Sequence, residues 1–214
     1  MTAVAIDGPA GAGKSTVARA VARELGWEYL DTGAMYRAVT LGALERGISP
    51  EDATSVAELI RSIPLEPRGD AVYLGGRDVS DAIREDRVAQ AVSTVAAHPE
   101  VRAELVALQR ALAARGDMVM EGRDIGTNVL PDAEVKVWLT ADLDERARRR
   151  ARETGATDVA RLRMTLETRD TADATREAAP LQRADDALVI DSTGLTIDDV
   201  VAHIVAAVRA LGSR

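Results

Sequence analysis

Residues 3–16, AVAIDGPAGAGKST, admit few folds. Ala3 to Ile6 is a short apolar run suited to a buried strand. Residues 14–25 place Val17, Val21 and Leu25 on one helical face, with Gly26 as the stop. Between strand and helix, Gly8, Gly13, Lys14 and Ser15 fall at the spacing G-x-x-x-x-G-K-[ST]. Glycine at 8, 11 and 13 lets the main chain approach a phosphate closely. Successive amides then converge on the anion at the positive end of the helix. Lys14 can reach β- and γ-phosphates, and the Ser15 hydroxyl can ligate Mg²⁺. Of 27 Lys and Arg residues only Lys14 and Lys136 are Lys. A compact ammonium lies along a phosphate chain where a planar guanidinium is too bulky.

The 214 residues suffice for one α/β domain with a modest insertion, and 46% hydrophobic content supports a packed core. Phe is absent, so that core is built from Ala, Val, Leu and Ile. A net charge of −8 disfavours duplex binding but leaves room for a local arginine pocket. Without Cys there is neither a disulfide nor a thiolate metal site. The N-terminus lacks the charged and apolar regions of a signal peptide, and no stretch approaches a membrane span. A soluble, cytoplasmic protein is expected.

Further along, 27–30 reads as a strand, and DTGAMYR at 31–37 opens a helix to about Arg46. Ser49 is the expected N-cap of the next helix, with Pro50 at its first position, running to about Ser62. A short extended piece lies between Pro64 and Pro67. Residues 71–79 then read as a hairpin about Gly75-Gly76, out of place in a βαβ chain, which indicates a small inserted β subdomain. Helices are expected at 86–97 and 99–115, and strands at 118–121, 135–139 and 187–190. Asp142 and Glu145 form a potential capping box for the helix DERARRRARE, and a second helix follows to about Asp170. Thr196 is the expected cap of the closing helix, with Val200, Ile204, Val208 and Leu211 facing the core. About five strands alternating with helices give a parallel sheet covered on both faces. Ligands of such sheets bind beyond the C-terminal strand ends, where Asp7-Gly8, Asp31-Thr32 and Glu121-Gly122 lie.

A phosphate loop alone specifies a nucleotide, not a reaction. There is no N-K-x-D to read guanine, no LSGGQ-like signature, and too little chain for a motor or helicase. A small kinase acting on a small phosphate acceptor remains. Arg37, Arg123, Arg169 and Arg176 sit beside Gly, Asp or Thr in polar segments rather than on amphipathic faces, and Arg matches phosphate bidentately.

Over nearly its whole length the chain resembles the bacterial cytidylate (CMP/dCMP) kinase family. The carrying segments are IDGPAGAGKST (6–16), LDTGAMYRA (30–38), VSDAIREDRVA (79–89), VSTVAAHPEVR (92–102), EGRDIGTNVLPDA (121–133) and RDTADATREAAPL (169–181). The resemblance implies a P-loop nucleoside monophosphate kinase fold: a five-stranded parallel sheet covered by helices, a small inserted β subdomain and a helical lid. It implies one domain over 1–214, with core 1–62, 88–140 and 185–214, an acceptor-binding insert at about 63–87 and a lid at about 145–172. Gly8, Pro9, Ala10, Gly11, Ala12, Gly13, Lys14, Ser15 and Thr16 match the ATP phosphate site, with Ser15 on Mg²⁺.

Thr32, Tyr36 and Arg37 match acceptor positions, and Arg37, Arg123 and Arg176 match the three clamps on the acceptor phosphate. With Lys14, those three arginines form the implied catalytic set. Ser93, Arg102 and Asp124 match the cytosine-reading positions, which suits a carboxylate accepting from the N4 amino group. Arg169 and Asp173 match the pair that holds the sugar. Where many relatives have Asp before GRD, this chain has Glu121. The implied reaction is Mg-dependent phosphoryl transfer from ATP to CMP or dCMP in pyrimidine nucleotide metabolism. A monomer that binds neither nucleic acid nor membrane is expected. Two other readings stay open: a related kinase for UMP, AMP or shikimate, and a nucleotide-dependent switch that transfers nothing.

Overall fold

The computed structural model describes residues 2–176 and 180–211. Its strands are β1 (Ala3–Asp7), β2 (Glu28–Asp31), β3 (Leu65–Arg68), β4 (Ala71–Leu74), β5 (Arg77–Asp78), β6 (Met118–Gly122), β7 (Val135–Thr140) and β8 (Leu188–Asp191). Its helices are α1 (Lys14–Leu25), α2 (Thr32–Glu45), α3 (Ala53–Ser62), α4 (Asp86–Val95), α5 (Pro99–Ala113), α6 (Leu143–Thr154), α7 (Val159–Ala174) and α8 (Ile197–Leu211). A five-stranded sheet runs β2-β6-β1-β7-β8, and β3-β4-β5 form a separate three-stranded sheet. The chain divides into two compact units, Met1–Glu28 with Asp117–Arg214, and Tyr29–Gly116.

In the first unit β1 lies between β6 and β7, parallel to both. A strand bonded on both edges and covered on both faces has no polar side, which is why Val4, Ala5 and Ile6 are all fully buried. Val119 and Met120 of β6 and Val137 and Leu139 of β7 complete this layer. The register sets Asp7 opposite Gly122 and Trp138, so the ends of β1, β6 and β7 share one edge. Helix α1 buries Val17, Ala18, Val21 and Ala22. In α8, Val200, Ile204 and Val208 face inward as the 3.6-residue period requires. Leu211 does not; at the helix end it stays 37% exposed.

The second unit is built on α2, whose Met35, Ala38, Val39, Leu41 and Ala43 are buried with almost no polar face. Its sheet is an antiparallel meander: β3 pairs with β4, and β4 with β5. The expected hairpin is therefore its second half. Gly75 and Gly76 both have positive φ (59° and 78°), a two-residue turn whose twist suits the flanking strands. The Pro64–Pro67 piece is a full strand, because Pro67 occupies a position on the outer strand β3.

Local signals misplace three features. Helix α3 is capped by Asp52, which accepts from Ser55 N at 3.0 Å; Ser49 and Pro50 form the turn before it. Asp142 caps α6 by accepting from Asp144 N, but its own amide donates to Thr193 Oγ1 at 2.8 Å. Glu145 is thus released from a capping box and takes Arg148 and Arg149 instead. The reciprocal box forms at Thr196 and Asp199, where each backbone N–H donates to the other's side chain. Helix α7 runs on to Ala174, so Arg169 and Asp173 share a helical face rather than a polar segment, and Arg37 lies on α2. Among the described residues no helix is long and apolar enough to cross a membrane.

Candidate active site

Each turn at the ends of β1 and β6 carries part of the candidate machinery. After Asp7 the chain passes close over β7. A Cβ at Gly8 would stand 2.0 Å from the carbonyl oxygen of Leu139, a distance no side chain survives, so glycine is compulsory. Lys14 opens α1 and is 6% exposed; its Nζ donates to the Pro9 carbonyl at 2.9 Å. Burial pushes the ammonium down to about 7, and Arg123 pushes the same way while Glu121 and Asp7 oppose. Among the described residues no carboxylate is hydrogen-bonded to this cation, a situation that a phosphate would relieve. Next to it, Ser15 Oγ donates to Glu121 Oε1 at 2.5 Å. Thr16 is exposed.

Arg123, just past β6, donates from Nε to Asp173 at 2.8 Å and from NH1 to the Gly8 carbonyl at 3.1 Å. Arg176, just past α7, donates to the other oxygen of Asp173 at 2.9 Å. One buried carboxylate therefore braces both guanidiniums beside the phosphate loop. Arg169, half-buried on α7, is near enough to Lys14 for its charge to act on the ammonium. Asp124 is buried and begins a π-helical turn, Ile125–Val129.

The loop is also gripped from α6 and α7. Arg146 donates to the Ala10 carbonyl at 3.1 Å and pairs with Asp170. Arg149 donates to the Ala12 carbonyl at 3.2 Å and to Ser192 Oγ and O at 2.9 and 2.8 Å. Ala10 packs with Ala147 and Leu166 in a small apolar cluster. Of the arginine-rich run, Arg146 and Arg149 turn inward, while Arg148, Arg150 and Arg152 are exposed.

In the second unit Thr32 starts α2 behind the Asp31 cap, which accepts from Ala34 N. Arg37 pairs with Asp31 at 3.1 Å and is about a quarter exposed, so it is tethered yet reachable. The Arg102 guanidinium, 6% exposed on α5, stands 5.8 Å from the Tyr36 ring centroid. Cation–π contact of this kind presents a cation in a fixed plane. Ser93 is half-buried on α4.

The family model described as Cytidylate kinase matches residues 4–210. The chain belongs to the cytidylate kinase family. A cytidylate kinase of Geobacillus thermodenitrificans is 51% identical over 209 residues, covering 94% of this chain and 93% of that protein. One from Exiguobacterium sibiricum is 50% identical over 209 residues, covering 94% of each. Among solved structures, a gluconokinase from Sinorhizobium meliloti aligns over 98% of this chain and 93% of its own with a TM-score of 0.52. At 15% identity that likeness speaks for the α/β kinase fold alone.

Several residues of this cytidylate kinase family member that bear on the site were not singled out from its sequence. Asp7 stood in plain view at a strand end, but nothing in its spacing said that its carboxylate turns toward the chain's own amides. It accepts from Ile125 N at 2.8 Å and Gly126 N at 2.7 Å. Burial pushes its carboxyl up to about 6 against the pull of those amides. Asp170 adjoins a candidate arginine and could have been found from it. Ser192, distant in sequence from the loop it supports, left no signal. The segment 169–181 passes through 177–179, which lie outside the described residues, as do 1 and 212–214 of the expected domain.

Proposed function

We infer that this protein transfers the γ-phosphoryl group of ATP to CMP or dCMP, giving ADP and CDP or dCDP, within pyrimidine nucleotide metabolism. The observation that carries the reading is the family match over residues 4–210. An oxygen of the acceptor phosphate attacks the γ-phosphorus, the bond to the β–γ bridging oxygen breaks, and ADP departs. Such transfer asks the protein for positioning and charge stabilisation rather than covalent help. The acceptor phosphate is already a competent nucleophile, so no general base is assigned.

Lys14 offsets charge on the transferring group, and the amides of 8–16 hold the remaining ATP phosphates. Arg37, Arg123 and Arg176 aim the acceptor phosphate, with Thr32 and Tyr36 as further acceptor contacts. Ser93, Arg102 and Asp124 read cytosine: a carboxylate accepts from the N4 amino group and repels the O4 of uracil. Arg169 and Asp173 hold the sugar. Magnesium suits the residues present, because the Ser15 hydroxyl already lies against a carboxylate and both are hard oxygen donors. Among the described residues no three acidic, His or Cys side chains form a cage. Ser15 would therefore hold an ion that arrives with the phosphates and, once bound, neutralises part of their charge.

In this reading the insert at about 63–87 serves the acceptor side, and the α6–α7 hairpin, about 145–172, closes as a lid that limits ATP hydrolysis. The protein works as a cytoplasmic monomer and binds neither nucleic acid nor membrane. The test is ADP formation from Mg·ATP with CMP, dCMP, UMP, AMP or no acceptor. Turnover with CMP and dCMP alone is expected. Equal turnover with UMP removes the cytosine-reading role, and acceptor-independent hydrolysis removes the kinase reading.

A further inference from the structure

The turn that carries Asp124 is held from two sides by groups outside the assigned chemistry. From beneath, the 5%-exposed carboxylate of Asp7 takes the backbone amides of Ile125 and Gly126, one on each oxygen. Those are the two residues directly after Asp124. Within the turn, Asn128 N and Val129 N donate to the Asp124 carbonyl at 2.9 and 3.1 Å, and Leu130 N to Ile125 O at 2.7 Å. From the solvent side Asn128, the only Asn in the chain, donates from Nδ2 to the Asp124 carboxylate at 3.1 Å. Backbone and side chain of Asp124 are thus fixed by separate groups. Lys136 adds a wall: a Cβ at Gly126 would stand 3.2 Å from its Cγ and Cδ, so the turn lies closely against that stem.

We propose that Asp7 and Asn128 are positioning residues for base selection, Asp7 setting the backbone from which Asp124 projects and Asn128 setting the orientation of its carboxylate. This rests on the reading that Asp124 accepts from the cytosine amino group. Hydrogen bonds weaken steeply with misalignment, so a small displacement of the acceptor falls on CMP and not on UMP, which has no amino group to offer. Burying a carboxylate is costly, and the ladder of the sheet does not use it. The two amides it satisfies would otherwise form an anion-binding concavity beside the phosphate loop. Asp7 fills that concavity from within and turns it into a fixed mount. Asn128 donates to one carboxylate oxygen of Asp124 and so fixes how the group is turned.

The experiment measures kcat/KM for CMP and for UMP, with KM for ATP, in wild type, Asp7→Asn, Asn128→Ala and Asp124→Asn. Asn at position 7 keeps the shape but turns a donor toward one of the two amides. The ratio of CMP to UMP efficiency is expected to fall about tenfold in Asp7→Asn and about threefold in Asn128→Ala, the range of single hydrogen bonds. In Asn128→Ala, KM for ATP should stay within about twofold, since a hydrogen bond confined to the other turn leaves the loop's own contacts in place, whereas Asp7→Asn also removes a charge that acts on Lys14. Adding Asn128→Ala to Asp124→Asn should change the ratio no further, because the group being oriented is already gone. A ratio that holds in Asn128→Ala while collapsing in Asp124→Asn overturns the proposal. A ratio that holds in Asp124→Asn overturns the base-reading role itself, and the positioning role with it. If Asp7→Asn does not fold, as far-ultraviolet circular dichroism will tell, the exposed Asn128→Ala and the double variant decide alone.

Discussion

Two turns follow adjacent parallel strands and face the same edge, yet they treat anions in opposite ways. The turn after β1 leads through Gly8, Gly11 and Gly13 into α1, and among the described residues the hydrogen-bond partner of its lysine is a carbonyl of the same loop. The turn after β6 has two of its leading amides already filled by Asp7. The first turn is built around a charge that comes and goes. The second carries its own carboxylate, bonded to both amides, and so has one shape. In the proposed reading they divide the labour of a transferase: one would bind the group to be moved, and the other would keep a selecting carboxylate in place. The contrast follows from where the acidic residue sits: at the end of β1 its carboxylate is in reach of the amides of the neighbouring strand's turn.

Lys14→Met tests the first turn most severely. We expect kcat to fall about a thousandfold, as when a preorganised electrostatic donor is lost. The Tm should not fall, because a buried ammonium pushed down to about 7 is replaced by a thioether of similar length. A Tm loss with preserved turnover would reverse the contrast. Gly8→Ala comes next. With the carbonyl of Leu139 2.0 Å from the new methyl group, about 3 kcal/mol of stability should go, read as a lower denaturant midpoint at unchanged slope.

Asp7 supplies the smallest and most diagnostic effect. Its folded pKa, about 6, lies above the ordinary 3.8, so the folded protein holds this proton more tightly between those values. The associated stability is present below pH 4 and lost as pH rises through 6. Between pH 4 and 7 the loss should amount to roughly 2 to 3 kcal/mol relative to Asp7→Asn. Chemical denaturation of both proteins across that window reads it. Parallel pH profiles would mean that the second turn holds no buried charge.

The sequence exposes the first turn and hides the second for one reason. A loop that binds an external anion must present residues fit for it, so Gly8, Lys14 and Ser15 announce themselves by spacing. A turn satisfied internally needs only one carboxylate, 118 residues away along the chain from Ile125. No local pattern records that distance. The same holds for Arg149 and Ser192, joined across 43 residues. Apolar patterning placed β1 and β6 because their burial is nearly total, and β7 because it buries every second residue; it erred at Leu211, where the helix outruns the core. Capping signals were right in kind but transferable in position. Asp142 lost its expected reciprocal partner once Thr193 answered its amide, whereas Thr196 found one in Asp199. Resemblance supplied roles for Arg102 and Asp124 that no spacing could.

Arg146 and Arg149 grip the phosphate loop by the carbonyls of Ala10 and Ala12, the acceptors, while of its donors the Ala10 amide is taken by Asp170 at 3.3 Å. Loop and helix therefore share a single ledger of order. A phosphate that quiets the amides also steadies the carbonyls on the reverse of the same peptide planes, and through them α6. By reciprocity, whatever steadies α6 raises the loop's affinity for phosphate by the same factor. Hydrogen exchange along α6 would register occupancy of a loop more than a hundred residues earlier in the chain, with no ligand atom touching the helix.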